Sequence, residues 1–311
     1  MKIYVVTMLK FTAFVSAFYI IFIVLSGLLL PPFMRQNLIY PYDHNGHTQK
    51  MLNDISNFKN IDLLFVGSSR AYRGFDPDVY AEAGYTSFVM GTSNQTPIQS
   101  LYLIKRYYPQ LTPKWIIMEV NPDIFSNDGV ESTIDLISNS PPDLKLSNLV
   151  LEIKSIKAIN TMIYAAMTHW FGLKKYIKSV PSHQNHSYHT AGFSKSNLLP
   201  YDTIAGNSYF CNIKIAQLKA LDQIIAFAAS NDTRIRFVQS PVLPRLYLSC
   251  SDNLDFDRIL HAKGLYVNYN IYSNFSDTSF FSDAQHLNQN GVMRWNKMIV
   301  KDILSNDKMN Q

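Results

Sequence analysis

The sequence predicts an α/β fold in which helices cover both faces of a parallel sheet, giving three layers. Apolar runs without polar alternation, typical of strands buried on both faces, occupy residues 61–67 and 114–120. Helical stretches opened by capping residues and proline alternate with these runs, a pattern that indicates βαβ units. The 311 residues, 47% hydrophobic and 16% charged, are enough for a sizeable core.

A charge-free segment precedes this domain. Residues 11–33 contain no charged side chain and match the ~20 apolar residues that cross a bilayer as a helix. Lys2 and Lys10 come before the segment and Arg35 follows it, which favours a cytoplasmic N-terminus. A cleaved signal peptide is the alternative, but the stretch is long for one and no A-x-A site follows it. We therefore expect residues 1–35 to be an uncleaved anchor with the rest of the chain outside the cytoplasm.

Residues 36–60 are polar and turn-rich, and we expect them to form a juxtamembrane stalk. The domain proper is expected to cover residues 61–311, with an insertion of helices and loop at about 127–207. This division makes the domain extracytoplasmic, either periplasmic or at the cell surface.

The first helices are predicted from capping signals. Asp76 as N-cap and Pro77 at the first helical position open a helix that stops at Gly84. A strand is predicted at 85–91, and Thr96 with the following proline opens a helix expected to end before Pro109.

The later elements follow from the same patterns. Residues 171–207 are expected to be loop, since they are rich in Gly, Pro, Ser and Asn. Helices are predicted at about 143–153, 154–170, 209–229 and 253–263 and after Asn288, and strands at 234–242 and 265–272.

Charge and motif content exclude several classes of function. The net charge is +5, but the three basic residues of 1–35 leave only +2 on the remainder, too little for a nucleic-acid-binding surface. No G-x-G-x-x-G or P-loop occurs, and we expect no cofactor. His183, His186 and His189 have ligand-like spacing but lie in a loop without cysteine or an obvious carboxylate, so no metal site is predicted.

The chain has two cysteines, Cys211 and Cys250, both beyond the anchor. An oxidising compartment would permit a disulfide between them. The sequence does not place them within bonding distance, so it leaves the question open.

A candidate catalytic constellation lies at the two ends of the domain. Gly67, Ser68 and Ser69 end the first predicted strand, at the edge where parallel sheets bind ligands. Asp283 and His286 lie three residues apart just before a helix. A serine becomes a nucleophile when a base takes its proton and a third group orients that base. Asp283 would orient His286, and His286 would act as base and then as acid.

These motifs resemble the SGNH/GDSL hydrolase superfamily, in which a G-D-S block near the start and a D-x-x-H block near the end supply the triad. The resemblance spans residues 61–304 and implies a flavodoxin-like parallel sheet. It makes Ser69 the nucleophile, Asp283 the acid and His286 the base. The family's aspartate is replaced here by Ser68.

The same resemblance implies two oxyanion donors. In "FVMGTSNQTP", Asn94 stands where the family has a glycine that donates through its backbone N–H. In "IIMEVNPDIF", Asn121 corresponds to a side-chain donor, although an alternative role as a turn residue before Pro122 stays open. Arg70 and Arg73 are candidates for holding an acidic substrate group or for salt bridges within the domain.

A single anchor before such a domain resembles bacterial proteins that acylate alginate, peptidoglycan or teichoic acids. The resemblance implies an O-acyltransferase, for acetyl above all, that modifies an extracytoplasmic polysaccharide from an acyl donor. A multi-pass membrane-bound O-acyltransferase is the implied partner, because acyl-CoA is cytoplasmic. A carbohydrate or lipid esterase with the same triad is the alternative. A non-catalytic glycan-binding or scaffold protein is a third.

Overall fold

The structure of this protein is a computed structural model. It describes residues 2–34, 38, 46–173, 186–196, 210–272, 275 and 278–304. The chain divides into two compact units. The first comprises Met1–His44 and Thr133–Pro181, and the second comprises Asn45–Ser132 and Ser182–Gln311.

The described residues of the second unit form a five-stranded sheet in the order β2-β1-β3-β6-β7, in which every pair is parallel. A separate antiparallel pair is formed by β4 and β5. The predicted α/β fold with a parallel sheet is confirmed. The strands are β1 (Leu63–Gly67), β2 (Ser87–Gly91), β3 (Trp115–Glu119), β4 (His186–Thr190), β5 (Phe193–Ser196), β6 (Arg234–Gln239) and β7 (Tyr266–Asn268).

Helices connect these strands in alternation. In chain order they are α1 (Lys2–Leu29), α2 (His47–Asp54), α3 (Ser69–Tyr72), α4 (Pro77–Glu82), α5 (Pro97–Leu111), α6 (Pro122–Ser126), α7 (Val130–Asn139), α8 (Leu144–Ile153), α9 (Ile156–Trp170), α10 (Ile215–Ser230), α11 (Pro244–Ser249), α12 (Asn253–Lys263), α13 (Tyr269–Tyr272) and α14 (Gln289–Ile299). The last helix continues as a π-helical turn, Val300–Leu304.

Strand order places a switch point at β1. The chain passes from β1 to β2 on one side and then to β3 on the other, so the connections diverge between β1 and β3. Both strands are buried along their whole length. Ligands of such sheets bind outside the carboxyl ends of the strands at this point. The ends of β1 and β3 carry Gly67 and Glu119.

Four predicted boundaries are wrong, and one of them is that of β6, which ends at Gln239 and not at residue 242. Helix α5 runs through Pro109 to Leu111 and ends at Thr112, which is left-handed with a φ of 32°. Strand β7 stops at Asn268, whose side chain accepts a hydrogen bond from the N–H of Asn270 and turns the chain into α13. Helix α10 begins at Ile215, six residues later than predicted.

The segment 171–207 was predicted as loop, but it contains the hairpin of β4 and β5. Ala191 and Gly192 link the strands with positive φ angles of 47° and 78°. Two left-handed residues suit the right-handed twist of a tight hairpin, which is why this short Ala-Gly pair supports it. The N–H of Val89 donates to the carbonyl of Ala191 at 2.8 Å, so the hairpin tip contacts β2.

Residues 46–60, expected within a stalk, belong to the second unit and include α2. His47 is buried, stacks on the ring of Tyr72 at 3.8 Å and bonds through Nε2 to the carbonyl of Gly91 at 3.0 Å. Polar composition suggested exposure, but stacking and hydrogen bonding satisfy this imidazole inside the protein.

In the first unit, α1 is long and apolar enough to cross a membrane. The C-terminal half of α1 packs on α9. The hydroxyl of Tyr19 hydrogen-bonds Oδ1 of Asn160 at 2.7 Å, and a β-carbon at Gly27 would overlap the ring of Tyr164.

Candidate active site

Strand β1 ends in a tight turn that presents Ser69. The Oγ of Ser68 accepts a hydrogen bond from the N–H of Arg70 at 3.3 Å, so Ser68 caps α3 and Ser69 is its first residue. Gly67 allows this turn to sit against β3, because a β-carbon there would lie 2.9 Å from Cβ of Glu119. The glycine is therefore required by close approach, and the serine after the cap projects from the sheet edge.

A second tight segment carries the predicted acid and base. Oδ1 of Asp283 accepts hydrogen bonds from the N–H groups of Gln285 at 2.8 Å and His286 at 2.9 Å. The carbonyl of His286 in turn accepts from the N–H of Ser282 at 2.9 Å. Asn288 then caps α14 through a 3.1 Å bond from the N–H of Gly291. These local bonds fix Asp283 and His286 before any contact with the rest of the protein.

The structure brings Ser69, His286 and Asp283 together. Nε2 of His286 lies 2.8 Å from Oγ of Ser69, and Nδ1 lies 2.8 Å from both carboxylate oxygens of Asp283. A carboxylate accepts only, so the imidazole proton belongs on Nδ1 and the Nε2 lone pair faces the serine hydroxyl. Ser69 and His286 are 217 positions apart in the chain. The arrangement has the order serine, imidazole, carboxylate that activates a serine for nucleophilic attack.

Helix α14 is fastened to the segment that follows α3, which holds these two parts in place. The Nδ2 of Asn296 donates to the carbonyl of Gly74 at 2.6 Å, and its Oδ1 accepts from the N–H of Asp76 at 3.2 Å. Nε2 of Gln289 donates to Asp76 at 2.8 Å. The ring of Trp295 packs on that of Phe75, with centroids 4.8 Å apart. The distance between Ser69 and His286 thus rests on several buried contacts.

Burial and charge set the protonation states. Burial lowers the pKa of His286, the positive charges of Arg73 and Arg70 lower it further, and the carboxylate of Asp283 opposes them. Burial acts to raise the pKa of Asp283, but the hydrogen bonds from His286 and the backbone, with the nearby Arg73, hold it below its usual value. At neutral pH the imidazole is neutral and the carboxylate is ionised, which are the states needed for a base and its orienting acid.

This electrostatic balance predicts the pH dependence of any reaction that uses His286 as base. We expect kcat/KM for an activated ester to rise with pH through an apparent pKa below about 6.5 and to level off near neutrality. Arg73→Gln removes a positive charge beside the ring and should move that pKa upward. A rate that falls as the pH rises through this range would contradict the assignment.

The two arginines that follow Ser69 are both held by protein carboxylates. Nη2 of Arg70 lies 2.8 Å from Oδ2 of Asp123 and its side chain is 5% exposed. Nη1 of Arg73 lies 3.9 Å from Asp283 and 3.4 Å from Nδ1 of His286. The sequence left two roles open for these arginines, binding of an acidic substrate group and salt bridges within the domain. The contacts in the structure are those of salt bridges.

The side chains of both predicted oxyanion donors form hydrogen bonds with glutamate side chains of the protein. Asn94 has the positive φ of 50° that suits a position normally held by glycine, and its Nδ2 hydrogen-bonds Glu131 at 2.5 Å. Asn121 caps α6 by accepting from the N–H of Ile124, and its Nδ2 lies 3.2 Å from both oxygens of Glu119. Asn94 is left with its backbone N–H for the predicted role. Asn121 combines the turn function with a bond to Glu119.

Glu119, a fully buried carboxyl at the end of β3, was not predicted as a site residue. It accepts hydrogen bonds from the Oγ of Ser68 at 3.3 Å and of Ser240 at 3.1 Å, besides Nδ2 of Asn121. Burial raises its pKa, and the charge of Arg70 together with these hydrogen bonds opposes that rise. A lone acid ending the apolar run "WIIME" was the available signal, since buried carboxyls are rare without partners. Through these hydrogen bonds Glu119 joins the residues at the carboxyl ends of β1, β3 and β6.

Removing this carboxyl should destabilise the fold. We expect Glu119→Ala to lower the free energy of unfolding by about 3 kcal/mol, because several buried donors lose their acceptor. Glu119→Gln keeps the volume and one acceptor and should cost about 1 kcal/mol. Denaturant titration of the full chain measures both, with the exposed Glu82→Ala expected to change stability by less than about 0.5 kcal/mol. Equal effects at Glu119 and Glu82 would contradict the proposed network.

The histidine-rich segment is partly outside the described residues, as are His183 and the side chain of His186. Nε2 of His189 lies 2.8 Å from Oδ2 of Asp78. Within the part of the chain that the structure describes, no group of three His, Cys, Asp or Glu side chains is placed to hold a metal ion.

Comparisons with known proteins return structural neighbours only. No protein-family model and no curated protein matches this chain. A GDSL-like lipase from Bacteroides thetaiotaomicron is similar at 10% identity and a TM-score of 0.43, covering 83% of this chain and 97% of its own. A protein described as an acylhydrolase, from Bacteroides fragilis, has 11% identity, a TM-score of 0.40 and coverage of 90% and 97%. A protein described as a GDSL-like lipase, from Parabacteroides merdae, has 9% identity, a TM-score of 0.36 and coverage of 78% and 95%.

Proposed function

We propose that this protein transfers acyl groups through a covalent intermediate on Ser69. The observation that carries the proposal is the continuous hydrogen-bonded chain from Ser69 Oγ through His286 to Asp283, with both links at 2.8 Å. It lies at the carboxyl edge of the parallel sheet, where such folds bind substrates. In the proposed roles Ser69 is the nucleophile, His286 the general base and acid, and Asp283 the orienting carboxylate.

The reaction has two balanced steps. Oγ of Ser69 bonds to the carbonyl carbon of an ester while its proton passes to Nε2 of His286, and collapse of the tetrahedral intermediate breaks the ester C–O bond. His286 returns the proton to the departing alkoxide. An acceptor hydroxyl then gives its proton to Nε2 and attacks the acyl-serine carbonyl. The acyl C–Oγ bond breaks, and His286 returns the proton to Oγ of Ser69. The Nδ1–H bond to Asp283 stabilises the imidazolium that forms in each step.

In both steps, hydrogen-bond donors must stabilise the negative charge that develops on the carbonyl oxygen. We propose the backbone N–H of Asn94 and the Nδ2 of Asn121 for this role. Each such donor contributes about 3 kcal/mol to transition-state stabilisation. To donate to the carbonyl oxygen, Nδ2 of Asn121 would give up one of its two hydrogen bonds to Glu119. The buried carboxyl would then affect catalysis as well as folding.

For the acceptor we propose a hydroxyl of an extracytoplasmic polysaccharide, which makes the protein an O-acyltransferase, with acetyl as the first acyl group to test. The support is the N-terminal helix α1, which is long and apolar enough to anchor the chain in a membrane. With the N-terminus in the cytoplasm, Ser69 lies outside it, whereas acyl-CoA lies inside. A membrane-bound O-acyltransferase that passes acyl groups across the bilayer is the partner this topology requires.

Water is the alternative acceptor, which would make the protein an esterase of carbohydrates or lipids. Serine chemistry is the same in both cases, because only the second nucleophile differs. A specific acceptor surface is needed for transfer to outcompete water, which is about 55 M in solution.

The full chain in detergent, supplied with 4-nitrophenyl acetate and acidic or neutral oligosaccharides, distinguishes these acceptors. Transfer predicts acetylated oligosaccharide in excess of free acetate, with both products absent from His286→Ala. Free acetate alone, unchanged by any sugar, would overturn transfer and support the esterase. No Ser69-dependent turnover of any ester would overturn the acyl-enzyme proposal and favour a binding or scaffold role.

A further inference from the structure

The two cysteines of the chain lie together, although 39 positions separate them. Sγ of Cys211 is 3.1 Å from Sγ of Cys250, and both residues are buried at 3% and 7% exposure. A disulfide bond needs a sulfur separation about 1 Å shorter, at about 2 Å. We propose that Cys211 and Cys250 form an intramolecular disulfide that ties the segment before α10 to the turn between α11 and α12.

The backbone around both cysteines is already fixed. The N–H of Cys211 donates to Oδ2 of Asp252 at 2.6 Å. The N–H of Cys250 donates to the carbonyl of Tyr247 at 3.3 Å, and the Cys250 carbonyl accepts from Nδ2 of Asn253 at 3.1 Å. These hydrogen bonds fix the backbone of both cysteines. The chain contains no third cysteine, so no other intramolecular pairing competes.

The oxidant is the disulfide of a thiol–disulfide oxidoreductase or of oxidised glutathione. One cysteine thiolate attacks that disulfide, forms a mixed disulfide and releases one thiol. The second cysteine attacks the sulfur of the first, forms the Cys211–Cys250 bond and releases the second thiol. The cysteines are oxidised by two electrons and the external disulfide is reduced by two.

The surroundings of the pair favour a structural bond over a switch. In the reduced protein, burial raises the pKa of the Cys211 thiol, as do its hydrogen bond with the Cys250 thiol and the nearby charge of Asp123. Few thiolates therefore exist in the folded protein, and exchange belongs to the stage before the pair is buried. Once closed, the bond is buried, so its reduction in the folded protein is slow and needs excess reductant.

The cross-link encloses α10, β6 and α11 and reaches close to the candidate site. Sγ of Cys211 is 3.5 Å from Oδ1 of Asp123, whose other oxygen holds Arg70, the residue after Ser69. The Ser69–His286 contact itself is held by α14. We therefore expect a large effect on thermal stability and less than about a five-fold effect on ester turnover.

The test uses the full chain, produced with its membrane anchor and treated with an alkylating agent before any reduction. Peptide mapping should recover the peptides of Cys211 and Cys250 joined, and reductant should separate them. Reduction should lower the midpoint of thermal unfolding by about 10 °C. A variant with both Cys211→Ser and Cys250→Ser should start near that lower midpoint and be insensitive to reductant.

Recovery of both cysteines as alkylated thiols, even after incubation with oxidised glutathione in mild urea, would overturn the proposal. A bond between two copies of the chain, visible as a dimer on a non-reducing gel, would also overturn it. Ester turnover measured on the same samples reports on Ser69 independently, so failure of either proposal is seen separately.

Discussion

Ser69→Ala should lower ester turnover by about 10⁴-fold or more, to the level that binding and oxyanion stabilisation supply alone. The reason is that Oγ of Ser69, 2.8 Å from Nε2 of His286, is the atom that bonds to the acyl carbon. The measurement is kcat/KM of the full chain for an activated acetyl ester, with the variant's thermal midpoint as evidence that it is folded.

The neighbouring serine offers a matched control. The Oγ of Ser68 forms a hydrogen bond with Glu119 and caps α3. It takes no part in the hydrogen bond between Ser69 and His286. Ser68→Ala should therefore lower stability by about 1 kcal/mol while retaining turnover within about ten-fold. If Ser68→Ala abolished turnover and Ser69→Ala retained it, the assignment of the nucleophile would be wrong.

Asp283→Asn should lower kcat/KM by about 10³- to 10⁴-fold, nearly as much as loss of the nucleophile. The carboxylate bonds to Nδ1 of His286 and to the backbone N–H groups of residues 285 and 286, so it fixes both the ring and the tautomer. An amide at this position donates through its nitrogen and favours the tautomer with its proton on Nε2, which removes the lone pair that takes the serine proton.

Asp78→Asn is the matched control for this substitution. Asp78 also lies 2.8 Å from an imidazole, that of His189, but both side chains of this pair are exposed to solvent. We expect turnover to stay within about two-fold of the parent, since exposed pairs of this kind contribute little. An Asp283→Asn variant as active as Asp78→Asn would remove Asp283 from the mechanism.

The sequence predicted the features that depend on local patterns. Strand β1 is an uninterrupted apolar run, so its end and the serine turn could be located directly. The spacing of Asp283 and His286 indicated that they share one turn, and their hydrogen bonds show that they do. Asn288, expected to open the last helix, caps α14.

Features that depend on contacts between distant residues were not predictable in this way. Glu119 is satisfied by Ser240, which is 121 positions away, and neither residue signals the other in the sequence. His47 has the polarity of a surface residue, yet its ring is paired inside the second unit. The proximity of Cys211 and Cys250 likewise arises from the packing of segments that the sequence shows only as separate elements.

The most direct test of the central claim is to identify the acylated residue. The full chain is mixed with an activated acetyl ester, quenched in acid within one turnover and digested for peptide mass spectrometry. We predict a single acetyl group on Ser69, absent from His286→Ala and accumulating when the acceptor is withheld. Turnover of the ester with acetyl on Ser68 or any other residue, or with none on the protein, would contradict an acyl-enzyme at Ser69.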